Sequence, residues 1–410
     1  MTMRLEAIGQ RSETVRRANL SAILEALHAD GPLSRSALVT RTGLTRSAIR
    51  GLLGELAAAD LTTEERALPH GAPGRPSPLV SLNPYGAAVL ALDIAVDSLA
   101  IALVGLGGTV FEVERIDRPS ACASVDAIAA DLADLATAMR ARHPRMPLVG
   151  VGVAVVGVVR RSDGLVSMAP NLGWRDVPLG ERLAAMLDLP VPVSVANDAD
   201  LGALVEGLRG AARGCDHLLF ISGEYGVGGG MIVDGRPLTG VAGYGGEVGH
   251  MPVNPAGSPC RCGSVGCWET EIGEPALLRL AGHPPGGGPD EVDAVLREAE
   301  AGSPAALAAL DTVGRWLGIG LAGLVNLLNP RMIVLGGLFA RIHPYVARSI
   351  ETELDRRALA APRAIVRVVP ATLGVDAPLL GAAELAFQPL LADPAGWLVP
   401  RSALLGLASA

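Results

Sequence analysis

Gly245-Gly246-Glu247-Val248-Gly249-His250, followed by Cys260-Arg261-Cys262-Gly263 and Gly266-Cys267-Trp268-Glu269, is the stretch on which the reading of this chain turns. Nine residues separate His250 from Cys260, one separates Cys260 from Cys262, and four separate Cys262 from Cys267. One imidazole and three thiolates make a closed tetrahedral site of the zinc type. Gly257, Pro259, Gly263 and Gly266 supply the turns that wrap so short a loop around an ion. Four protein ligands leave no position for water, so the expected zinc is structural rather than catalytic. Three of the five cysteines fall within these eight residues; Cys122 and Cys215 stand alone and read as buried thiols.

Outward from this loop the chain has α/β character. Val89–Ile94, Leu99–Val104 with Val110–Val113, Val149–Val155, Val193–Ala196, His217–Ile221 and Met332–Leu335 are apolar runs of strand length. Helical segments fit between them at Ser124–Arg142, Leu179–Leu187, Ala199–Leu208 and Pro304–Leu328. Repeated strand–helix alternation in two halves predicts a parallel or mixed sheet in each of two lobes, with a cleft between.

Polar residues punctuate the strand ends. Asn197-Asp198 follows a strand, Glu247 lies three before His250, Glu269 lies two after the last cysteine, and Asn171 follows Ala169-Pro170. Carboxylates and amides brought together in a cleft are the usual means of gripping sugar hydroxyls. Asp198 also has the chemistry of a general base toward a hydroxyl.

The first eighty residues differ in kind. Leu20, Ile23, Leu24 and Leu27 share a helix face, and Asp30-Gly31-Pro32 ends that helix. Ser34 is placed to cap a short helix with Ala37 and Leu38, Gly43 breaks it, and Thr45 caps a third with Ala48, Ile49, Leu52, Leu53 and Leu56 inward. This is a helix-turn-helix, whose second helix reads the major groove of double-stranded DNA. Arg46, Ser47 and Arg50 are its exposed reading positions. Two strands, near Thr62 and at Leu79–Leu82, predict a wing whose tip Gly71–Pro76 carries Arg75 toward a minor groove.

Composition supports this division. The chain has 410 residues and a formal charge of −8. Ten arginines against eight acidic residues give the first eighty positions +2, which leaves −10 for the rest. The N-terminal segment is therefore the one candidate for meeting phosphates. All 34 basic residues are arginine, which excludes Schiff-base and Walker-lysine chemistry. Charges near the start rule out a signal peptide, and the longest apolar run, Leu148 to Val159, falls short of the roughly 20 residues of a membrane helix, so a cytoplasmic location and no membrane partner are expected.

The motif Gly-Gly-Glu-Val-Gly-His with its Cys-x-Cys and Gly-Cys-Trp-Glu continuation resembles the signature of the ROK family (repressors, open reading frames, kinases). The resemblance runs from about Thr14 to Phe387. It implies a winged helix-turn-helix (1–82), a two-lobed actin-like, ribonuclease-H-like sugar-kinase domain (83–390) and a tail (391–410). It further implies sugar contacts from Asn171, Asn197, Asp198, Glu247, His250 and Glu269, with His250 between zinc and sugar. Family regulators of carbohydrate genes are often dimers or tetramers.

Family kinases begin with Asp-x-Gly-Gly-Thr, and the matching segment here is Asp93-Ile94-Ala95-Val96-Asp97, without either glycine. Gly107-Gly108-Thr109 imitates the motif but comes too late, in a hairpin turn, and Gly223-Glu224-Tyr225-Gly226 places a second carboxylate where phosphates would lie. The expectation is a sugar-sensing repressor without catalytic residues. The alternatives are a sugar kinase with Asp198 as base, or a DNA-binding protein with a vestigial pocket.

Overall fold

The computed structural model describes residues 12–65, 78–118, 124–223, 226–285 and 288–398. Three helices, α1 (Ser12–Asp30), α2 (Arg35–Thr42) and α3 (Arg46–Ala58), form the N-terminal unit with strands β1 (Leu33–Ser34), β2 (Thr62–Glu65) and β3 (Leu79–Leu82). The Ser34 hydroxyl accepts from Ala37 N at 3.1 Å and the Thr45 hydroxyl from Ala48 N at 3.3 Å, so both expected caps form. Gly43 takes a left-handed conformation and donates to Val39 O, ending α2. Leu20, Ile23, Leu24, Leu27, Leu38, Ile49, Leu52, Leu53 and Leu56 are buried between the helices. The β3 strand pairs with both β1 and β2, making the wing three-stranded. Its tip, with Arg75, lies outside the described residues.

The first lobe holds β4 (Ala88–Ile94), β5 (Ser98–Gly105), β6 (Thr109–Asp117), helix α4 (Val125–Arg142), β7 (Leu148–Val155), a small meander β8 (Val158–Arg160), β9 (Leu165–Ala169) and β10 (Trp174–Pro178), then α5 (Leu179–Leu187), β11 (Val193–Asn197) and α6 (Asp198–Leu208). Its main sheet runs β11-β7-β4-β5-β6, with β4–β6 antiparallel and β7 and β11 added in parallel. Alternation along β4 explains the layers. Leu90 and Leu92 face α4 and α5, whereas Val89 and Ala91 face the other core.

The second lobe repeats the plan with β12 (Leu218–Gly223), β13 (Val227–Val233), β14 (Arg236–Pro237), helices α7 (Glu269–Ile272), α8 (Glu274–Ala281), α9 (Gly288–Glu300) and α10 (Pro304–Leu328), β15 (Met332–Gly337), α11 (Leu338–Arg357), α12 (Ala360–Ile365) and β16 (Arg367–Pro370). Its order is β14-β13-β12-β15-β16, again three antiparallel strands followed by two parallel ones. Two lobes of one topology are the actin-like arrangement expected from the sequence. By length and apolarity α10 qualifies as a membrane span, but 61% of its most apolar window is buried, in the core of this lobe.

The last helix, α13 (Ala377–Ala392), returns to the first lobe. It lies between the main sheet and α1, so the N-terminal unit and the first lobe share one continuous apolar core. The boundary expected at 390 falls inside this helix, whose Leu390 and Leu391 are buried. Apolar residues on every side of α13 leave no helical stripe to mark it in the sequence. Cys215 is half-buried rather than buried, and Cys122 lies outside the described residues.

Candidate sugar cleft and metal loop

The metal loop is a hairpin closed by bridges between Pro252 and Cys267 and between Pro259 and Val265. Its tightest point is Gly266, in a left-handed conformation, where a side-chain carbon would stand 1.6 Å from Asn254 O. Trp268 pins the loop to the second lobe: its ring is fully buried and its Nε1 donates to Trp316 O at 2.8 Å. The ligand atoms of His250, Cys260, Cys262 and Cys267 all lie within 4.8 Å of one another. His250 Nδ1 is 3.6 Å from Cys260 Sγ, and the Cys262 and Cys267 sulfurs are 3.6 Å apart. A zinc tetrahedron with thiolate and imidazole bonds has edges of about 3.5–3.8 Å. Two of the ligand pairs already stand at such an edge and the whole set lies within 4.8 Å, so the four residues could hold a metal ion of this size. Burial pushes the Cys260 thiol upward, so holding it as a thiolate calls for a cation.

The cleft residues come from separate elements. Asp198 opens α6, and Asn197 caps it, its Oδ1 accepting from Ala199 N at 2.8 Å and Asp200 N at 3.1 Å. The Asn197 amide also donates to Gly157 O at 2.9 Å. Asn197 is thus tied into the protein and sets the start of α6. Glu247 Oε2 lies 3.9 Å from His250 Nε2, while His250 Nδ1 faces the cysteines. One imidazole therefore has one nitrogen toward the metal loop and the other toward the cleft. Glu269 Oε1 is 2.9 Å from Cys260 Sγ and 3.6 Å from His250 Nδ1, on the border of the two sites. Glu269 and Asn171 both overlie the backbone of Gly226. The glycines of β13 permit this convergence: a side-chain carbon at Gly230 would stand 2.3 Å from Ala199 O, at the start of α6.

Three residues join the site that motif reading did not single out. Asp200, 8% exposed, is buried beside Gly246 and Glu247. Arg161 is its cationic neighbour. Arg261, the residue between two metal-site cysteines, donates to Asn171 Oδ1 at 2.7 Å and links the metal loop to the first lobe. Asp200 repeats the acid of Asp198 two positions on, a signal available in the sequence. Arg161 and Arg261 carry none.

The carboxylates raise one another. Burial pushes Asp198 up to about 6, opposed by the backbone N–H of Ala199 and helped by the charges of Glu247 and Asp200. Burial pushes Asp200 up to about 7, against the pull of Arg161 and with the push of Glu247. Such a group favours the fold while protonated. Its stabilising effect is complete below the unfolded value of 3.8 and is lost as pH rises through about 7. Asp200→Asn is therefore expected to stabilise the protein at pH 8 by roughly 2–4 kcal/mol and to change little at pH 4. Thermal unfolding at the two pH values checks this, and destabilisation at pH 8 would contradict it.

An acidic, partly dehydrated cleft between two lobes of one topology, bordered by a loop whose His and three Cys could hold a metal ion, defines a protein of the sugar-kinase fold with a DNA-binding-type domain at its N-terminus. The ROK family model matches residues 89–388, and the chain belongs to the ROK family. It is 30% identical to the xylose repressor of Bacillus spizizenii over 92% of this chain and 97% of that protein. The crystal structure of a ROK family transcriptional regulator, a homologue of the E. coli MLC protein, superposes with a TM-score of 0.76 at 27% identity, covering 94% of this chain and 97% of that one. A ROK glucokinase from Streptomyces griseus, solved with glucose and AMPPNP, gives a TM-score of 0.61 at 28% identity, covering 73% of this chain and 99% of that one.

Proposed function

We propose that this chain is a sugar-responsive transcriptional repressor that binds an operator through its winged domain and releases it when a sugar enters the cleft. The observation that carries this reading is the extent of the likeness. The xylose repressor and the ROK regulator cover 92% and 94% of this chain, too much to leave out the whole N-terminal unit, whereas the glucokinase covers 73%.

Asp198, Glu247, His250, Glu269 and Asn171 grip the hydroxyls, joined by Asp200, with Asn197 as the residue that positions Asp198. The metal is zinc, and its role is to hold His250 and Glu269 in place. The protein resides in the cytoplasm and acts as a homodimer or homotetramer on a two-fold operator. Its units are the winged domain up to about residue 82 and the two-lobed body with α13.

Kinase chemistry is disfavoured by the geometry of the would-be phosphate site. Asp93 is buried, with Arg115 Nη1 at 3.9 Å. Glu274, raised by its burial, also feels the negative charge of Asp97 from the opposite lobe. Acidic side chains near this site add repulsion toward a triphosphate.

Arg46, Ser47 and Arg50 are exposed at the N-terminal end of α3, and neither arginine has an ion-pair partner among the described residues. They are free to meet bases, and Arg75, outside the described residues, is a further proposed contact. Arg46→Ala is expected to weaken specific binding by about 1–3 kcal/mol if it reads guanine. Fluorescence anisotropy on a duplex selected from a random pool measures this, and an unchanged affinity removes Arg46 from the reading surface. The same assay tests the whole reading. D-xylose, the sugar in the relatives' name, is the first effector to add, followed by D-glucose. Operator affinity that ignores every sugar, or ATP-dependent sugar phosphorylation that vanishes in Asp198→Asn, overturns it.

A further inference from the structure

We infer that α6 is the mechanical link between the cleft and the DNA-binding domain, and that His28, Arg209 and Glu384 are its switch. The inference rests on the repressor reading and specifies how the signal leaves the cleft. At one end, α6 begins with the ligand-facing Asp198; its eleven residues span about 16 Å. At the other end its cap residue, Arg209, enters a nearly dry site. Arg209 Nε donates to Glu384 Oε1 of α13 at 2.5 Å, and Arg209 Nη2 lies 2.9 Å from His28 Nε2 of α1. His28 Nε2 is also 2.6 Å from Glu384 Oε2, and Gly107 N donates to His28 Nδ1 at 3.2 Å. His28 is 3% exposed and Glu384 2%.

The partners outnumber the ring's capacity. Nδ1 accepts from Gly107, so a neutral ring carries its proton on Nε2 and gives it to Glu384. Arg209 Nη2 then faces a second donor. When Nε2 instead accepts from Arg209, the ring's one proton sits on Nδ1, the Gly107 hydrogen bond is given up, and Glu384 is held by Arg209 alone. Two arrangements therefore compete, and a small displacement of Arg209 selects between them.

The contact feeds directly into the helix-turn-helix. Arg213, in the turn after α6, donates to Ala29 O at 3.2 Å and Asp30 O at 3.1 Å, the carbonyls that end α1 just before β1 and α2. The buried Glu206 carboxylate, on the last turn of α6, accepts from Thr372 N and Leu373 N at 2.9 Å, at the crossing from the second lobe to α13. A shift of α6 thus acts on the end of α1 and on the lobe connection together. A ligand that prefers one setting of α6 biases the domain it touches at the far end.

Arg209 is a positioning residue, and its test is the coupling between sites. The full chain is assayed for D-xylose and D-glucose binding by calorimetry and for operator binding by anisotropy, with and without the sugar that binds. In the wild type, saturating sugar is expected to weaken operator binding on the order of 10–100-fold. Arg209→Met should keep each separate affinity and lose most of that ratio, and Arg209→Lys should restore part of it. Arg213→Ala, at an exposed position, should reduce the ratio as well and serves where Arg209→Met does not fold. Full coupling in these variants overturns the link while leaving the repressor reading intact. Wild-type operator affinity unaffected by a sugar that binds overturns both.

Discussion

Cys267→Ser is expected to empty the metal loop and abolish sugar binding. Cys267 is fully buried, bridged to Pro252 and paired with Cys262 at the base of the hairpin. Serine offers a shorter, harder ligand that stays protonated at neutral pH, so three ligands remain where the geometry is built for four. Structural zinc contributes about 10–16 kcal/mol to the folding of small zinc-finger peptides, and removing one ligand forfeits a large part of that. This loop has little else to hold it. Trp268 anchors its end, but from Asn254 to Gly266 Cys260 is the sole buried side chain. His250 and Glu269 stand at its two ends, with Glu247 three residues before the first, so disorder in the loop disperses the cleft. Metal analysis and calorimetry on the purified variant decide the matter. Full metal content with undiminished sugar affinity would sink the claim that the loop shapes the cleft. Cys215→Ser, distant from the cluster in sequence and absent from it in space, is the control.

Glu384→Leu is expected to destabilise the protein by about 3–5 kcal/mol. The substitution leaves Arg209 and His28 facing each other without the carboxylate that joins them. Burial alone would raise the Glu384 pKa, but His28 and Arg209 outweigh it and hold the group below its ordinary 4.5. A lowered carboxylate contributes stability that is present above its unfolded pKa and lost as pH falls through the folded one. Acid should therefore weaken the wild type in a way that Glu384→Leu escapes, the opposite sign to Asp200. Replacing all three members together with Met and Leu should recover most of the loss, because well-packed apolar groups often equal a buried ion network. Denaturant midpoints followed by tryptophan fluorescence measure each case. A single substitution that costs less than about 1 kcal/mol would show that the network is not strongly desolvated. Recovery in the triple variant, with loss of the sugar response, would separate the network's signalling from its contribution to stability.

Much of this was legible in the chain itself, for reasons that differ by region. Ser34, Gly43 and Thr45 announce helix ends because a cap is a bond between neighbours three or four residues apart. Strands such as Val149–Val155 stand out because burial on both faces demands an unbroken apolar run. The β8–β10 meander did not, because its strands are short and carry Arg160, Arg175 and Asp176 among their apolar residues. The strand β13 is hidden by Gly228–Gly230, which leave no room for side chains where the strand lies against Ala199 and Ala203 of α6 and against Gly246 and Val248.

The sequence by itself determined the metal loop and the helix-turn-helix, since chelate spacing, caps and helical period act within one turn or one short loop. Through a motif it also put forward candidates, Asn171, Asn197, Asp198, Glu247, His250 and Glu269, for the proposed cleft. The tertiary structure decided that Asp200, Arg161 and Arg261 belong with them, and that Asn197 faces the protein. It alone brought His28, Arg209 and Glu384 together across separations of 356, 175 and 181 residues. A charge pair between distant segments leaves no periodicity or spacing behind. It exists because the fold removes water from that place, and burial is a property of the packed chain.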